Sequence, residues 1–143
     1  MVADLIFDSS MKKLSAPFSR YNEVVVAYLF GSRSRGDFTE DSDVDFAVLL
    51  SESFQDPLDL VRLVGELAAA FEVTDEKINL IVLNDASLEL SFKVVSEGKV
   101  VFERDREKRV EFEAHVLKSY MDFKPVLDSM RKSLIEEYTH GET

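Results

Sequence analysis

Two carboxylates, Asp43 and Asp45, stand at the start of the apolar run Val44-Asp45-Phe46-Ala47-Val48-Leu49-Leu50. In a strand, residues two apart share a face at a spacing of about 6.6 Å, so both carboxylates project together while Val44 and Phe46 take the other side. Left alone the two charges repel, and a divalent cation relieves the repulsion and keeps both ionised. Mg2+ takes oxygen ligands, keeps several waters and is usually completed by substrate phosphates. A two-carboxylate site with open positions therefore suggests a nucleoside triphosphate more than a structural metal. Upstream, Gly31-Ser32 lies where an apolar run gives way to a polar turn. Glycine lets backbone N–H groups approach a phosphate, and serine adds a hydroxyl. Arg33 and Arg35 follow, either able to add positive charge to the phosphate tail, and Gly36 lets the chain turn back.

The elements that must position these residues can be read from the pattern. Val24-Val25-Val26-Ala27-Tyr28-Leu29-Phe30 is too apolar for a half-exposed strand and predicts a buried one ending at Gly31, with Tyr28 as core. Val44 to Leu50 predicts a second strand. Pro57 suits the first turn of a helix whose Leu60, Val61, Val64, Leu67, Ala68 and Phe71 recur as one apolar face, packed on the sheet. Lys77 to Leu83 reads as a third strand, Ser87 to Glu97 as a helix closed by Gly98, and Lys99 to Phe102 as a short fourth strand. From Arg104 to Tyr138 the pattern is helical, with Val110, Ala114, Leu117 and Met121 on one face and Pro125 breaking or kinking it into two pieces. A first helix from Asp8 to Arg20, with Ser9 or Ser10 as cap and Pro17 disturbing its later part, precedes the first strand. The expected class is α/β (α+β): a mixed sheet of about four strands flanked by helices, with a C-terminal helical tail.

With 143 residues, 45% of them hydrophobic, the chain suits one domain over 1–143, with a core of about 20–103 and a tail of about 104–139. No apolar run approaches membrane-spanning length, which favours a soluble, cytoplasmic protein with no membrane partner. Absence of cysteine removes disulfides, Cys-bearing zinc sites and thiol nucleophiles together. The net charge of −11 argues against general nucleic-acid binding and suits a basic protein partner. Asp41-Ser42-Asp43-Val44-Asp45 also begins like a calcium-binding EF-hand loop, with Glu52 at its twelfth position. Phe46 stands where that loop requires glycine, and an apolar strand follows. His115 and His140 have no partners at metal-ligand spacing and take no role.

Gly31-Ser32, ten residues, then Asp43-Val44-Asp45 resembles the signature of the minimal nucleotidyltransferases of the DNA polymerase β-like superfamily. The flanking Tyr28-Leu29-Phe30-Gly31-Ser32-Arg33-Ser34-Arg35-Gly36-Asp37 is similar too, and the element order matches from Val24 to Glu103. Glu111-Phe112-Glu113-Ala114 and Tyr120-Met121-Asp122-Phe123-Lys124-Pro125 resemble the tail of one subgroup, the antitoxins paired with HEPN-domain RNase toxins. The resemblance implies a polymerase β-like fold, Mg2+ held by Asp43 and Asp45, and ATP gripped at Gly31-Ser32 with Arg33 and Arg35 beside it. It further implies transfer of AMP to a hydroxyl side chain, typically tyrosine, of a HEPN toxin encoded by a neighbouring gene.

One departure bears on catalysis: family members usually place a third carboxylate on the next strand, and here Asn79 stands in that place. An amide can accept a hydrogen bond or weakly ligate a metal but cannot take a proton from an attacking hydroxyl. Asp75 and Glu76 are nearby acids expected in a solvated turn. Three functions follow in order: an adenylyltransferase acting on a partner toxin, with Asp43, Asp45 and Asn79 as its catalytic set; a noncatalytic antitoxin that binds nucleotide and neutralises by complex formation; and a small-molecule, antibiotic-modifying transferase. Arg104 to Tyr138 is expected either to contribute to the partner interface or simply to cover the sheet. The oligomeric state is left open, a homo-oligomer included.

Overall fold

A computed structural model describes residues 14–31 and 43–141. A helical stretch over 14–19 leads into β1 (Val24–Phe30), β2 (Val44–Leu50), α1 (Leu58–Phe71), β3 (Ile78–Val82), α2 (Leu88–Glu97), β4 (Lys99–Glu103) and α3 (Arg106–Gly141). The strands form one sheet in the order β3-β2-β1-β4. Both neighbours of β1 run antiparallel to it, whereas β2 and β3 are parallel, as their connection through α1 allows. The expected mixed four-stranded sheet with flanking helices is therefore observed. At one end of the β2–β3 pair, the Asn84 side chain accepts from the Leu50 N–H at 2.9 Å and donates to its carbonyl at 2.8 Å.

All seven residues of β1 are buried because the sheet is covered on both faces. On one face Leu29, Phe46, Val48 and Ile78 meet Leu14 and Phe18 of the first helical stretch and Leu63, Leu67 and Ala68 of α1. The Phe46 ring meets Phe18 and Phe71 edge-on. On the other face Val26, Tyr28, Phe30 and Ala47 meet Val94 of α2, with Leu90 and Phe112 packed against them. The stripe of α1 that reaches the sheet runs Leu60, Leu63, Val64, Leu67, Ala68 and Phe71; Val61, expected on it, is 66% exposed. At 100° per residue, Val61 lies a full step off the line from Leu60 to Leu63 and Val64.

Several boundaries differ from the sequence expectation. Lys77 and Leu83 lie in short 3-10 turns at either end of β3 rather than in the strand, and β4 continues to Glu103. Ser87 caps α2 by accepting the Leu90 N–H at 3.1 Å. Gly98 closes that helix with an extended backbone, so its need for glycine comes from contact: a Cβ there would run into the Val94 carbonyl oxygen. Pro125 does not divide the tail, because α3 is one helix of 36 residues that contains it. Nor do Val110, Leu117 and Met121 face the sheet; they are 50%, 38% and 70% exposed, and α3 packs instead through Phe112, Val116 and Tyr120. Of the first helix, Asp8, Ser9 and Ser10 lie outside the described residues, and residues 14–19 are helical through Pro17.

Candidate active site at the ends of β1, β2 and β3

Register brings the chemistry-bearing residues together. Phe30 of β1 pairs with Asp45 of β2, and Asp45 pairs with Asn79 of β3, so the three lie side by side across the sheet. Paired residues share a face, which places the Asp45 and Asn79 side chains on the face of Phe30 while Val44, Phe46 and Ile78 are buried on the opposite one. Asp43 immediately precedes β2 and projects to the same spot. The Asn79 Nδ2 donates to Asp45 Oδ1 at 2.9 Å and to Asp43 Oδ2 at 3.3 Å. One amide thus bridges two carboxylates that would otherwise face each other unrelieved.

Gly31 directly follows β1 and has a φ of 77°, in the left-handed region that side chains disfavour. A Cβ at Gly31 would also collide with Asp45 Oδ2. Both the backbone conformation and the close approach of the carboxylate require glycine there. Ser32, Arg33 and Arg35 lie outside the described residues. Asp75 and Glu76 sit in the exposed turn before β3, as expected, and are not among the described residues that line the cleft.

An open cleft of about 820 Å³ runs past these residues and around the edge strand β3, lined on the site's face by Phe30, Gly31, Asp45, Asn79, Ile81 and, from α2, Lys93, and on the other by Val64, Ile78 and Leu80. Its size is within the range of small-ligand sites. Lys93 was not singled out by motif. Its signal was helical register: Leu90 and Val94 form the sheet-facing side of α2, and Lys93 precedes Val94 on the flank nearest β3. Among the described residues no group of three His, Cys, Asp or Glu side chains is placed to hold a metal. The donor set still suits Mg2+: two carboxylates converge on one point, and Asn79 offers its carbonyl oxygen once the amide turns over. Solvent and phosphate oxygens would complete the shell.

Behind the site, β1 is tied to α3. The buried Tyr28 hydroxyl donates to Glu113 Oε1 at 2.8 Å, and Arg109 Nη1 donates to both oxygens of that carboxylate at 2.9 and 3.1 Å. Burial first, then the bond to Glu113, raises the Tyr28 hydroxyl well above its ordinary pKa. Tyr28 is therefore a core residue, as its strand predicts. His115 is exposed on α3. No helix among the described residues is long and apolar enough to cross a membrane.

Residues 12–107 match the family model described as polymerase beta, nucleotidyltransferase. The chain is 33% identical over 104 residues to a protein adenylyltransferase MntA of Aphanizomenon flos-aquae, covering 68% of this chain and 69% of that one. It is 39% identical over 72 residues to the MntA protein adenylyltransferase of Shewanella oneidensis, spanning about half of each. Among solved structures, a chain in a crystal structure of a toxin–antitoxin pair with AMP-PNP superposes with a TM-score of 0.68 at 25% identity, over 90% of this chain and 98% of that one.

Proposed function

The chain belongs to the polymerase beta nucleotidyltransferase family, and on that premise we propose that it is a Mg2+-dependent adenylyltransferase that moves AMP from ATP onto a hydroxyl side chain of a HEPN-type RNase toxin. In doing so it acts as that toxin's antitoxin. The observation that carries the proposal is the convergence of Asp43, Asp45 and Asn79 beside Gly31, in a cleft large enough for a nucleotide. The names of the relatives, protein adenylyltransferases, and the toxin–antitoxin setting of the similar structure support it.

Asp43 and Asp45 would hold the metal, with the Asn79 amide turned to offer its carbonyl oxygen beside them. When bound, Mg2+ supplies charge to the phosphates and helps pyrophosphate leave. Gly31 and Ser32 offer backbone and hydroxyl donors to the triphosphate, with Arg33 and Arg35 adjoining. In the transfer, the acceptor hydroxyl oxygen bonds to the α-phosphorus, the bond to the bridging oxygen of pyrophosphate breaks, and pyrophosphate leaves. Asn79 has no basic atom, so the hydroxyl proton passes to water. Residues 20–103 form the catalytic core in this reading and 104–139 its tail. In this reading the activity is cytoplasmic, where ATP and a toxin from a neighbouring gene would both be available.

Asn79 also favours a second reading, a noncatalytic antitoxin that binds nucleotide and neutralises by complex formation. Incubation with labelled ATP, Mg2+ and the protein of the neighbouring reading frame, read by intact mass with Asp43→Ala as control, separates the two. A gain of one or more AMP units on the partner, lost in the variant, establishes the transferase. A tight complex with no mass gain leaves the binding antitoxin.

A further inference from the structure

We propose that Lys93 contacts the nucleotide, its ammonium binding the phosphate tail of a triphosphate held in the cleft beside Asp45 and Asn79. The inference rests on the nucleotide-binding reading of that cleft and adds a residue that lies far outside the Gly31–Asp45 segment. Among the described residues lining the cleft, Lys93 is the only cation. It is exposed, and no described residue forms an ion pair with it.

Its backbone is held firmly. Val94, the next residue, is fully buried against Ala47 and Phe30, and Leu90 packs on the same cluster with Ile81. The lysine stem can therefore lie along the apolar lining of Phe30 and Ile81 while the charged end stays in the open part of the cleft. A compact ammonium on a flexible stem suits phosphate, which presents charge in many directions. The charge balance favours a further cation at this side of the cleft. Asp43, Asp45 and a triphosphate together carry more negative charge than one divalent ion neutralises, and Asn79 contributes none.

Because the contact is to the phosphate tail, it should distinguish ATP from AMP. Titration calorimetry with Mg2+ on the wild type, Lys93→Met and Lys93→Arg, using ATP and AMP separately, tests this. Loss of one charge-assisted phosphate contact should weaken ATP binding about tenfold to a hundredfold in Lys93→Met, leave AMP binding unchanged, and be largely restored in Lys93→Arg. Thermal unfolding of each variant checks that this exposed position leaves the fold intact. If Lys93→Met binds ATP as the wild type does, or loses ATP and AMP affinity equally, the Lys93 contact is refuted while the nucleotidyltransferase reading stands. If the wild type binds neither nucleotide, both fall together.

Discussion

Replacing Gly31 with alanine should cost stability by two separable routes, and the structure says how to separate them. The first is local: at a φ of 77°, a residue with a Cβ pays about 1–2 kcal/mol in the left-handed region. The second is the collision of that Cβ with Asp45 Oδ2. Asp45 would have to leave its rotamer, at about 0.5–1.5 kcal/mol, and loosen the bond it accepts from Asn79, worth about 1 kcal/mol at this partly exposed site. Gly31→Ala should thus lose about 2.5–4.5 kcal/mol in the wild type but only about 1–2 kcal/mol in an Asp45→Ala background, where the obstructing carboxylate is gone. Urea denaturation of the four proteins of this cycle, in EDTA without nucleotide, measures the difference directly. Adenylyl transfer by Gly31→Ala should fall about a hundredfold, since a carboxylate displaced by about 1 Å is enough to do so. Equal costs in the two backgrounds would refute the steric coupling, and a neutral Gly31→Ala would refute the reasoning altogether.

Asn79→Asp should raise the rate of AMP transfer about a hundredfold if proton removal limits it. In metal-free buffer the same variant should lose about 1 kcal/mol of stability, recovered on adding Mg2+; unchanged transfer would show that the missing acid does not limit the reaction. Tyr28→Phe should cost about 1–3 kcal/mol at pH 7 by removing a buried partner of Glu113. Tyr28 also predicts a pH dependence: its folded pKa is raised, so the unfolded chain ionises first, from about pH 10, and stability falls as pH rises beyond that point. Denaturation curves for Tyr28→Phe should show a shallower decline above pH 10 than those for the wild type. Pro125→Ala should supply the N–H that the Met121 carbonyl lacks and increase protection from hydrogen exchange around residues 121–125, by up to about 3 kcal/mol; unaltered exchange would mean that the turn is already compensated. Binding of a basic toxin by a chain of net charge −11 should slow on association as salt rises, and salt-insensitive association would remove the electrostatic argument for that partner.

The sheet was legible because its strands are long apolar runs set off by polar turns, and the Asp43–Asp45 pair because a strand sends alternate residues to one side. The meeting of that pair with Asn79 follows from the parallel β2–β3 register, for which the sequence offered only a family likeness. Lys93 was harder to see. Its place by the site depends on which side of α2 meets the sheet, a matter of tertiary packing that no local motif records. In α1 the sequence pattern has the right number of apolar residues but takes Val61 in place of Leu63, because a pattern of three- and four-residue steps can be entered one residue early.

Helix α3 shows the same ambiguity on a larger scale. Val110, Ala114, Leu117 and Met121 make one apolar stripe, while Phe112, Val116 and Tyr120 make another about a third of a turn away. Both recur at helical spacing, so periodicity cannot choose between them. The choice is made by polar residues that look like surface in the sequence: Arg109 and Glu113 share the second stripe, and the bonds of Glu113 to Arg109 and to the buried Tyr28 hydroxyl turn that side toward β1. The first stripe is left exposed as a consequence. A helix of 36 residues is about 54 Å long, more than twice the span of a seven-residue strand, so even its sheet-facing side runs past the sheet. That is why Met130, Leu134 and Tyr138, in line with Phe112 and Val116, are 55%, 62% and 74% exposed.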